Sequence, residues 1–372
     1  MQKELTDIEL DTYSRQIVLA DIGYDGQQRL RGARACIVGM GGLGSPTALK
    51  LVGMGIGHLR MIDRDIVSRS DLHRQHLYDA DAIGQPKVEI ALRKLSRLNP
   101  DVRLEALAES VNSNNVHELI REMDIVIDGL DRPETRYLIN RVCHQSKIPY
   151  IFGAAIEAFG NVTTIVPGRT ACLECFMPGL RDEDLPACGI VGVYPPVLGV
   201  VSSVQVSEAV RVLGGREPKL SNRLFYVDLR EFAFHILDIP ASKTCKVCGG
   251  EAAGPPEKIY DRYYEETCAR DGRRNFILTP AKRIELDMAE LQAILKKRGL
   301  KIDTCSAFGI TFEPACDIKT CILKSGLMIA QTPPRFEEDV KTELFEIYRS
   351  ILVGEMGFSD DISPDRFING GD

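Results

Sequence analysis

The stretch that most constrains this chain is short. An apolar run, Ala35-Cys36-Ile37-Val38, enters Gly39-Met40-Gly41-Gly42-Leu43-Gly44. Ser45 and Pro46 then open a stretch with Leu49, Leu51 and Val52 as its apolar residues, and Leu59-Arg60-Met61-Ile62-Asp63 follows. The order is strand, glycine turn, helix, then a strand that ends in an acid. Glycine allows the reversal because it accepts backbone angles that side chains forbid. Two strands joined through a helix lie parallel in one sheet, and a parallel sheet needs cover on both faces.

The next segments repeat the pattern. Helices are expected over 8–31, 86–98, 115–122 and 133–145, and strands over 102–107, 125–128 and 149–152. Ile125-Val126-Ile127-Asp128 reads as a fully buried strand. Alternating strand and helix predicts an α/β fold, a doubly wound Rossmann-like sheet. After residue 160 the style changes. Val162–Val166, Leu224–Val227 and Ala233–Leu237 read as antiparallel strands around a long helix at 197–213, so the sheet is mixed, with parallel and antiparallel halves. Glu251-Ala252-Ala253-Gly254-Pro255-Pro256 reads as a linker. The expected organisation is a first domain over 1–250, the linker at 251–256, a small C-terminal α+β domain over 257–358, and a flexible polar tail over 359–372. That second domain has short strands at 276–278, 321–323 and 327–329 and helices near 287–299 and 335–351.

Composition narrows the class. The chain has 372 residues, enough for two domains at roughly 100–200 residues each. Its net charge of −7 argues against a protein whose main task is to hold nucleic-acid phosphates. No apolar run approaches the roughly 18 residues of a membrane helix, and Met1–Leu5 starts no signal segment. A cytosolic protein with no membrane or direct nucleic-acid partner is expected. In that compartment the eleven cysteines need an explanation other than disulfides.

Gly39, Gly41 and Gly44 form G-x-G-x-x-G between a strand and a helix, with Gly42 beside them. Such a turn brings backbone close to phosphate and offers the amides of a helix N-terminus to an anion. An acid closing the second strand, here Asp63, can hold ribose hydroxyls. Alone, this fits NAD at least as well as ATP. The following residues favour ATP: Asp65, then Ser70-Asp71-Leu72-His73-Arg74-Gln75, then Lys87. A triphosphate under attack carries more charge than a pyrophosphate bridge and needs several cations aimed at it. Asp131 falls just beyond the strand 125–128, at the same rim, where an acid can hold magnesium against phosphates. Singly, Arg74 and Lys87 read as solvated surface charges; together with Asp63, Asp131 and the turn they do not.

Two C-x-x-C pairs, Cys172/Cys175 and Cys245/Cys248, are spaced to close a structural zinc site, with Gly249 and Gly250 as knuckle glycines. A redox C-x-x-C is the alternative. Cys188 lies apart in a Pro/Gly-rich loop and is the candidate nucleophile. The other six cysteines read as packing residues.

Together these residues resemble the HesA/MoeB/ThiF branch of the ubiquitin-activating-enzyme-like superfamily. The matching features are Tyr13-Ser14-Arg15-Gln16, Gly26-Gln27, the Gly39–Ser45 turn, Asp63-Arg64-Asp65, Ser70–Gln75 and Gly84-Gln85-Pro86-Lys87. Asp131 with Arg136 and Asn140, Gly153-Ala154, both cysteine pairs and the Cys188 loop also match. The resemblance covers about 5–250; the last third falls outside it and does not resemble the rhodanese domain of some relatives. It implies an adenylyltransferase that uses ATP and magnesium to activate the C-terminal Gly-Gly carboxylate of a ubiquitin-like sulfur-carrier or modifier protein, releasing pyrophosphate. By the resemblance Asp63 holds ribose, Arg74 and Lys87 neutralise phosphates, and Asp131 serves magnesium and the attacking carboxylate. Arg15 reaches the neighbouring subunit of a homodimer, and Cys188 matches a loop cysteine that forms a thioester or persulfide in some members. A sulfur-donor protein is a further partner it implies. The sequence departs from the pattern in two places: Asp71 stands where the family has Asn, and Leu130-Asp131-Arg132 stands where it has Thr-Asp-Asn. Arg132 is expected to offset the charge at Asp71. Competing readings are adenylation of a peptide or small carboxylate, and a non-catalytic binding subunit with the same fold.

Overall fold

The computed structural model describes residues 4–184, 191–250, 254–268, 273–314, 318–333 and 340–364. The chain begins with three short helices, α1 (Asp7–Thr12), α2 (Ser14–Ile17) and α3 (Gly23–Gly32), where the sequence predicted one over 8–31. Thr6 and Glu9 form a capping box at the start of α1. Gly23 breaks the run, since its φ of +67° cannot continue a right-handed helix.

The first sheet then forms as expected. It comprises β1 (Arg34–Val38), β2 (His58–Ile62), β3 (Arg103–Leu107), β4 (Ile125–Asp128), β5 (Tyr150–Ile156), β6 (Phe159–Ile165), β7 (Arg223–Asp228) and β8 (Ala233–Asp238). Their spatial order is β3-β2-β1-β4-β5-β6-β7-β8. The first five pair parallel, and β6, β7 and β8 pair antiparallel. The crossover helices are α4 (Gly44–Gly53), α5 (Lys87–Leu98), α6 (Val116–Ile120) and α7 (Pro133–Ser146), followed by α8 (Leu173–Phe176) and the long α9 (Pro195–Leu213). Ile37, Leu59, Ile125 and Ile127 face one core, and Cys36, Val38, Ile62 and Val126 the other. That alternation, on strands buried on both faces, is the signature of a covered parallel sheet.

Helix α9 is the only helix among the described residues that is long and apolar enough to cross a membrane. It packs on β5, β6 and α4 instead. Its Glu208 accepts hydrogen bonds from the Thr164 hydroxyl at 2.7 Å and the Leu220 amide at 2.8 Å. These bonds satisfy a carboxylate that is 3% exposed.

The second sheet contains β9 (Tyr264–Cys268), β10 (Arg274–Leu278), β11 (Lys301–Cys305), β12 (Gly309–Glu313), β13 (Lys319–Leu323) and β14 (Met328–Thr332). Its order is β11-β12-β13-β14-β10-β9, and every pairing is antiparallel. Helices α10 (Met288–Lys297) and α11 (Val340–Arg349) contribute to a core with Phe276, Leu278, Ile322 and Met328. The alternate residues Ile277, Cys321, Leu323 and Ile329 join the core of the first sheet. Both faces of the second sheet are therefore covered, one by its own helices and one by the first unit. Ile362, in the segment expected to be a polar tail, is buried in the second core.

Candidate functional site

The glycine turn joins the C-terminal end of β1 to α4. Gly39 has φ +91° and lies against the backbone after β4; a Cβ there would meet the Gly129 carbonyl oxygen at 2.5 Å. At Gly44 a Cβ would stand 1.8 Å from the Gly39 oxygen, so any side chain would push the helix off the strand. Gly41 differs: its nearest neighbour would be Gln75 Nε2 at 3.7 Å, which leaves that backbone open. The amides of Gly41, Gly42 and Leu43 have no hydrogen-bond partner among the described residues. Unpaired amides at a helix N-terminus form an anion cradle. Leu198 of α9 backs the turn at Gly42, and the Tyr78 hydroxyl donates to the Met40 carbonyl at 2.7 Å.

Asp63 sits just past β2. Its Oδ2 accepts from the Met40 amide and its Oδ1 from the Asp65 amide, both at 2.6 Å. It thus holds the turn directly. Loss of solvation, with help from neighbouring Asp65 and against Lys87, raises its carboxyl to about 6. Lys87, the first residue of α5, is only 7% exposed along its side chain. Its Nζ lies 3.0 Å from Asp65 and 3.8 Å from Asp71. Burial alone would favour the neutral amine, but Asp65, Asp63 and Asp71 together push its pKa up instead. Burial also opposes ionisation of Asp65, yet Lys87 and Arg64 outweigh it and hold that carboxyl below its ordinary value. Lys87 is a locked cation at the rim, not a solvated surface charge.

Asp71 is buried and collects donors. It accepts from the Ser68 amide and hydroxyl at 2.9 Å, from Arg74 at 3.0 Å and from Gln75 at 2.9 Å. The charge that balances it comes from Arg74 and Lys87. The expectation that Arg132 offsets Asp71 is corrected here, because Arg132 pairs with Glu265 of β9. Arg74 also donates to the Ser70 carbonyl, Leu72 is half-buried, and His73 is exposed.

Asp131 lies exposed just beyond β4, at the rim that carries Asp63 and the turn, and makes no hydrogen bond or ion pair among the described residues. A free carboxylate beside a phosphate cradle suits a hard cation such as magnesium, which binds through one or two carboxylates plus phosphate oxygens. Asp128, three residues earlier, is fully buried. It accepts from Arg136 Nε at 3.0 Å, the Tyr150 hydroxyl at 2.7 Å and the Leu130 amide at 2.8 Å. Arg136 also reaches the Gly153 carbonyl at 2.9 Å. The pair fixes the loop that presents Asp131; the reading of the sequence included Arg136 but missed Asp128. The visible signal was an acid closing an otherwise apolar strand. Arg15 is exposed on α2, next to Gln16, which hydrogen-bonds the Met54 carbonyl at the far end of α4. Ten helical residues, about 15 Å, separate that end from the glycine turn. Cys188 lies outside the described residues.

The four cysteines of the two pairs converge. Sγ separations are 4.0 Å for Cys172–Cys175, 3.5 Å for Cys172–Cys245 and 3.3 Å for Cys175–Cys248. Four thiolates at about 2.3 Å from one tetrahedral zinc would stand about 3.8 Å apart, so the set fits zinc and not an isolated redox pair. Gly249 is required by the knuckle: a Cβ there would meet the Cys245 carbonyl at 2.5 Å. Asn140 accepts from the Leu173 amide at 3.0 Å and Arg141 clamps Glu174 at 2.7 and 3.0 Å, tying the cluster to α7.

Comparison with known proteins agrees with this geometry. A model described as the ThiF family matches residues 13–247. The SAMP-activating enzyme E1 of Haloferax volcanii is 37% identical over 270 residues, covering 72% of this chain and 98% of that protein. The sulfur carrier protein ThiS adenylyltransferase of Escherichia coli is 36% identical over 253 residues, covering 68% of this chain and 100% of that protein. Among solved structures, E. coli MccB with ATP aligns with a TM-score of 0.55 at 26% identity, covering 61% of this chain and 69% of that one. The family match ends before β9, so the whole second sheet lies beyond it.

Proposed function

The chain belongs to the ThiF family, and on that premise we propose that it is an ATP-dependent adenylyltransferase. Its substrate is the C-terminal Gly-Gly carboxylate of a ubiquitin-like sulfur-carrier or modifier protein. The observation that carries this reading is the convergence on one rim of the open glycine turn, the Asp63 anchor, the Lys87–Asp65–Asp71–Arg74 network and the free Asp131. Relatives named as sulfur carrier protein adenylyltransferases support the choice of substrate.

A carboxylate is a poor electrophile, and an adenylate makes it reactive. The carrier's terminal carboxylate oxygen attacks the α-phosphorus of ATP. A C–O–P bond forms, the bond from the α-phosphorus to its bridging oxygen breaks, and pyrophosphate leaves with that electron pair. Asp63 accepts the ribose hydroxyls. The amides of Gly41, Gly42 and Leu43 hold phosphate oxygens, and Arg74 and Lys87 offset charge that builds on the departing pyrophosphate. Magnesium, when bound, supplies further phosphate neutralisation, and Asp131 is the residue that holds it. Zinc in the four-cysteine cluster is structural, since all four positions are protein thiolates and no open position remains. Arg15 completes the partner's site in a homodimer. Cys188 is the nucleophile that receives the activated carboxylate, and a sulfur-donor protein is a further partner.

Pyrophosphate exchange tests the reading. The chain with magnesium should move labelled pyrophosphate into ATP only when a Gly-Gly-ended carrier is present. Exchange that runs at the same rate without a carrier protein assigns the activity to a small carboxylate instead.

A further inference from the structure

The second sheet meets the nucleotide rim at Glu265, and it touches the segment before Lys87 where Thr311 donates to the Gly84 carbonyl at 2.7 Å. Glu265, on the edge strand β9, is 7% exposed and receives Arg64 at 2.5 and 2.9 Å on its two oxygens. Arg132 donates to the same carboxylate. Neighbouring residues follow the same course: Asp261 accepts from the Ser113 amide at 2.8 Å, and Arg262 meets Glu134 at 2.9 Å. Residues 261–265 thus touch the loops beyond β2, β3 and β4, whose ends form the crevice mouth. Arg64 lies between Asp63 and Asp65 in sequence, and Arg132 directly follows Asp131.

We propose that Glu265 is a positioning residue for the nucleotide site: it gathers the Arg64 and Arg132 guanidiniums and so keeps them off Asp65 and Asp131. The proposal rests on the adenylation reading above. A guanidinium is always charged and seeks the nearest carboxylate. With Glu265 neutralised, the nearest remaining acids are Asp65, already within electrostatic reach of both arginines, and Asp131, within reach of Arg64. Pairing there would occupy Asp131, which the mechanism assigns to magnesium. Because the family match ends before β9, this device belongs to the extension that follows the family domain.

The test uses the full chain, saturating non-hydrolysable ATP analogue, and Mn2+ followed by electron paramagnetic resonance. Glu265→Gln keeps the shape and removes the charge, and should weaken Mn2+ binding by about fivefold, the scale of one partly exposed ion pair. Glu265→Asp retains the charge and should stay within about twofold of the parent. The double variant Glu265→Gln with Arg64→Gln removes a freed cation and should recover much of the lost affinity. A merely structural glutamate would show no such rescue. Unchanged Mn2+ affinity in Glu265→Gln, or a double variant no better than the single, overturns the proposal while leaving adenylation intact. A parent chain that binds no Mn2+ with the analogue overturns both. Thermal melts of each variant separate weak binding from loss of fold.

Discussion

Replacing Lys87 by Met tests how the rim is held together. The change removes the ammonium and roughly keeps the length. In the parent, Nζ stands 3.0 Å from Asp65 and 3.8 Å from Asp71. Stripping one partner from a buried ion pair costs about 3–5 kcal/mol. Two features lower that figure. The Asp65 side chain is 50% exposed, so water screens it, and Asp71 keeps Ser68, Arg74 and Gln75. The stability loss therefore falls to about 1–2 kcal/mol. The reaction loses more, because a donor aimed at developing charge in an enclosed site contributes about 3–4 kcal/mol, or 100- to 1,000-fold in rate. The pH dependence carries a sign. Asp63 sits at about 6 because lost solvation and Asp65 raise it while Lys87 lowers it. A carboxyl raised in the folded state favours folding at low pH, and that contribution fades between its ordinary value near 4 and about 6. Without Lys87 the upper end of this window moves alkaline. The rise in ATP-analogue affinity as Asp63 ionises must move the same way. Pyrophosphate exchange reads the loss in rate, and calorimetric titration of the analogue across the acid-to-neutral range reads the shift in midpoint. An exchange rate within about twofold of the parent, or a midpoint moved to lower pH, refutes the reasoning.

Two further outcomes follow from the same geometry. Cys248→Ser leaves three thiolates, so the stoichiometric zinc measured by plasma emission should fall sharply and the melting temperature should drop; a variant that retains full zinc contradicts the four-cysteine assignment. Arg15→Ala and Lys87→Met chains, each nearly inactive alone, should recover about a quarter of parental activity when mixed and refolded, because half the dimers would be mixed and half of their sites complete. No recovery would place Arg15 in its own chain's site.

The parts of the site carried by local spacing were legible in the sequence. The glycine turn needs a strand before it and a helix after it, and both elements have their own periodicity. The cysteine pairs declare themselves because each spans one knuckle. Lys87 was legible as a candidate, but its burial was not, since the three carboxylates that hold it come from the separate segments 63–65 and 71. Arg132 was read against Asp71 because both depart from the family pattern and their charges are opposite. The structure sends it to Glu265, a residue 133 positions away. No pattern in the sequence links β9 to the rim, and only the packed fold brings them together. The helix predicted over 8–31 breaks at Tyr13 and again between Ile17 and Gly23, where the positive φ of Gly23 outweighs helical periodicity. The second sheet was underread for a related reason. Strands such as Cys321-Ile322-Leu323 are apolar on both faces, which signals double cover without naming what covers them.

The most direct test of the central claim is ATP–pyrophosphate exchange by the purified chain with a ubiquitin-like carrier supplied in two forms, complete or lacking its final glycine. Adenylation of the terminal carboxylate predicts exchange with the complete carrier and background with the truncated one. Equal exchange with both, or none with either across a panel of Gly-Gly-ended carriers, contradicts it.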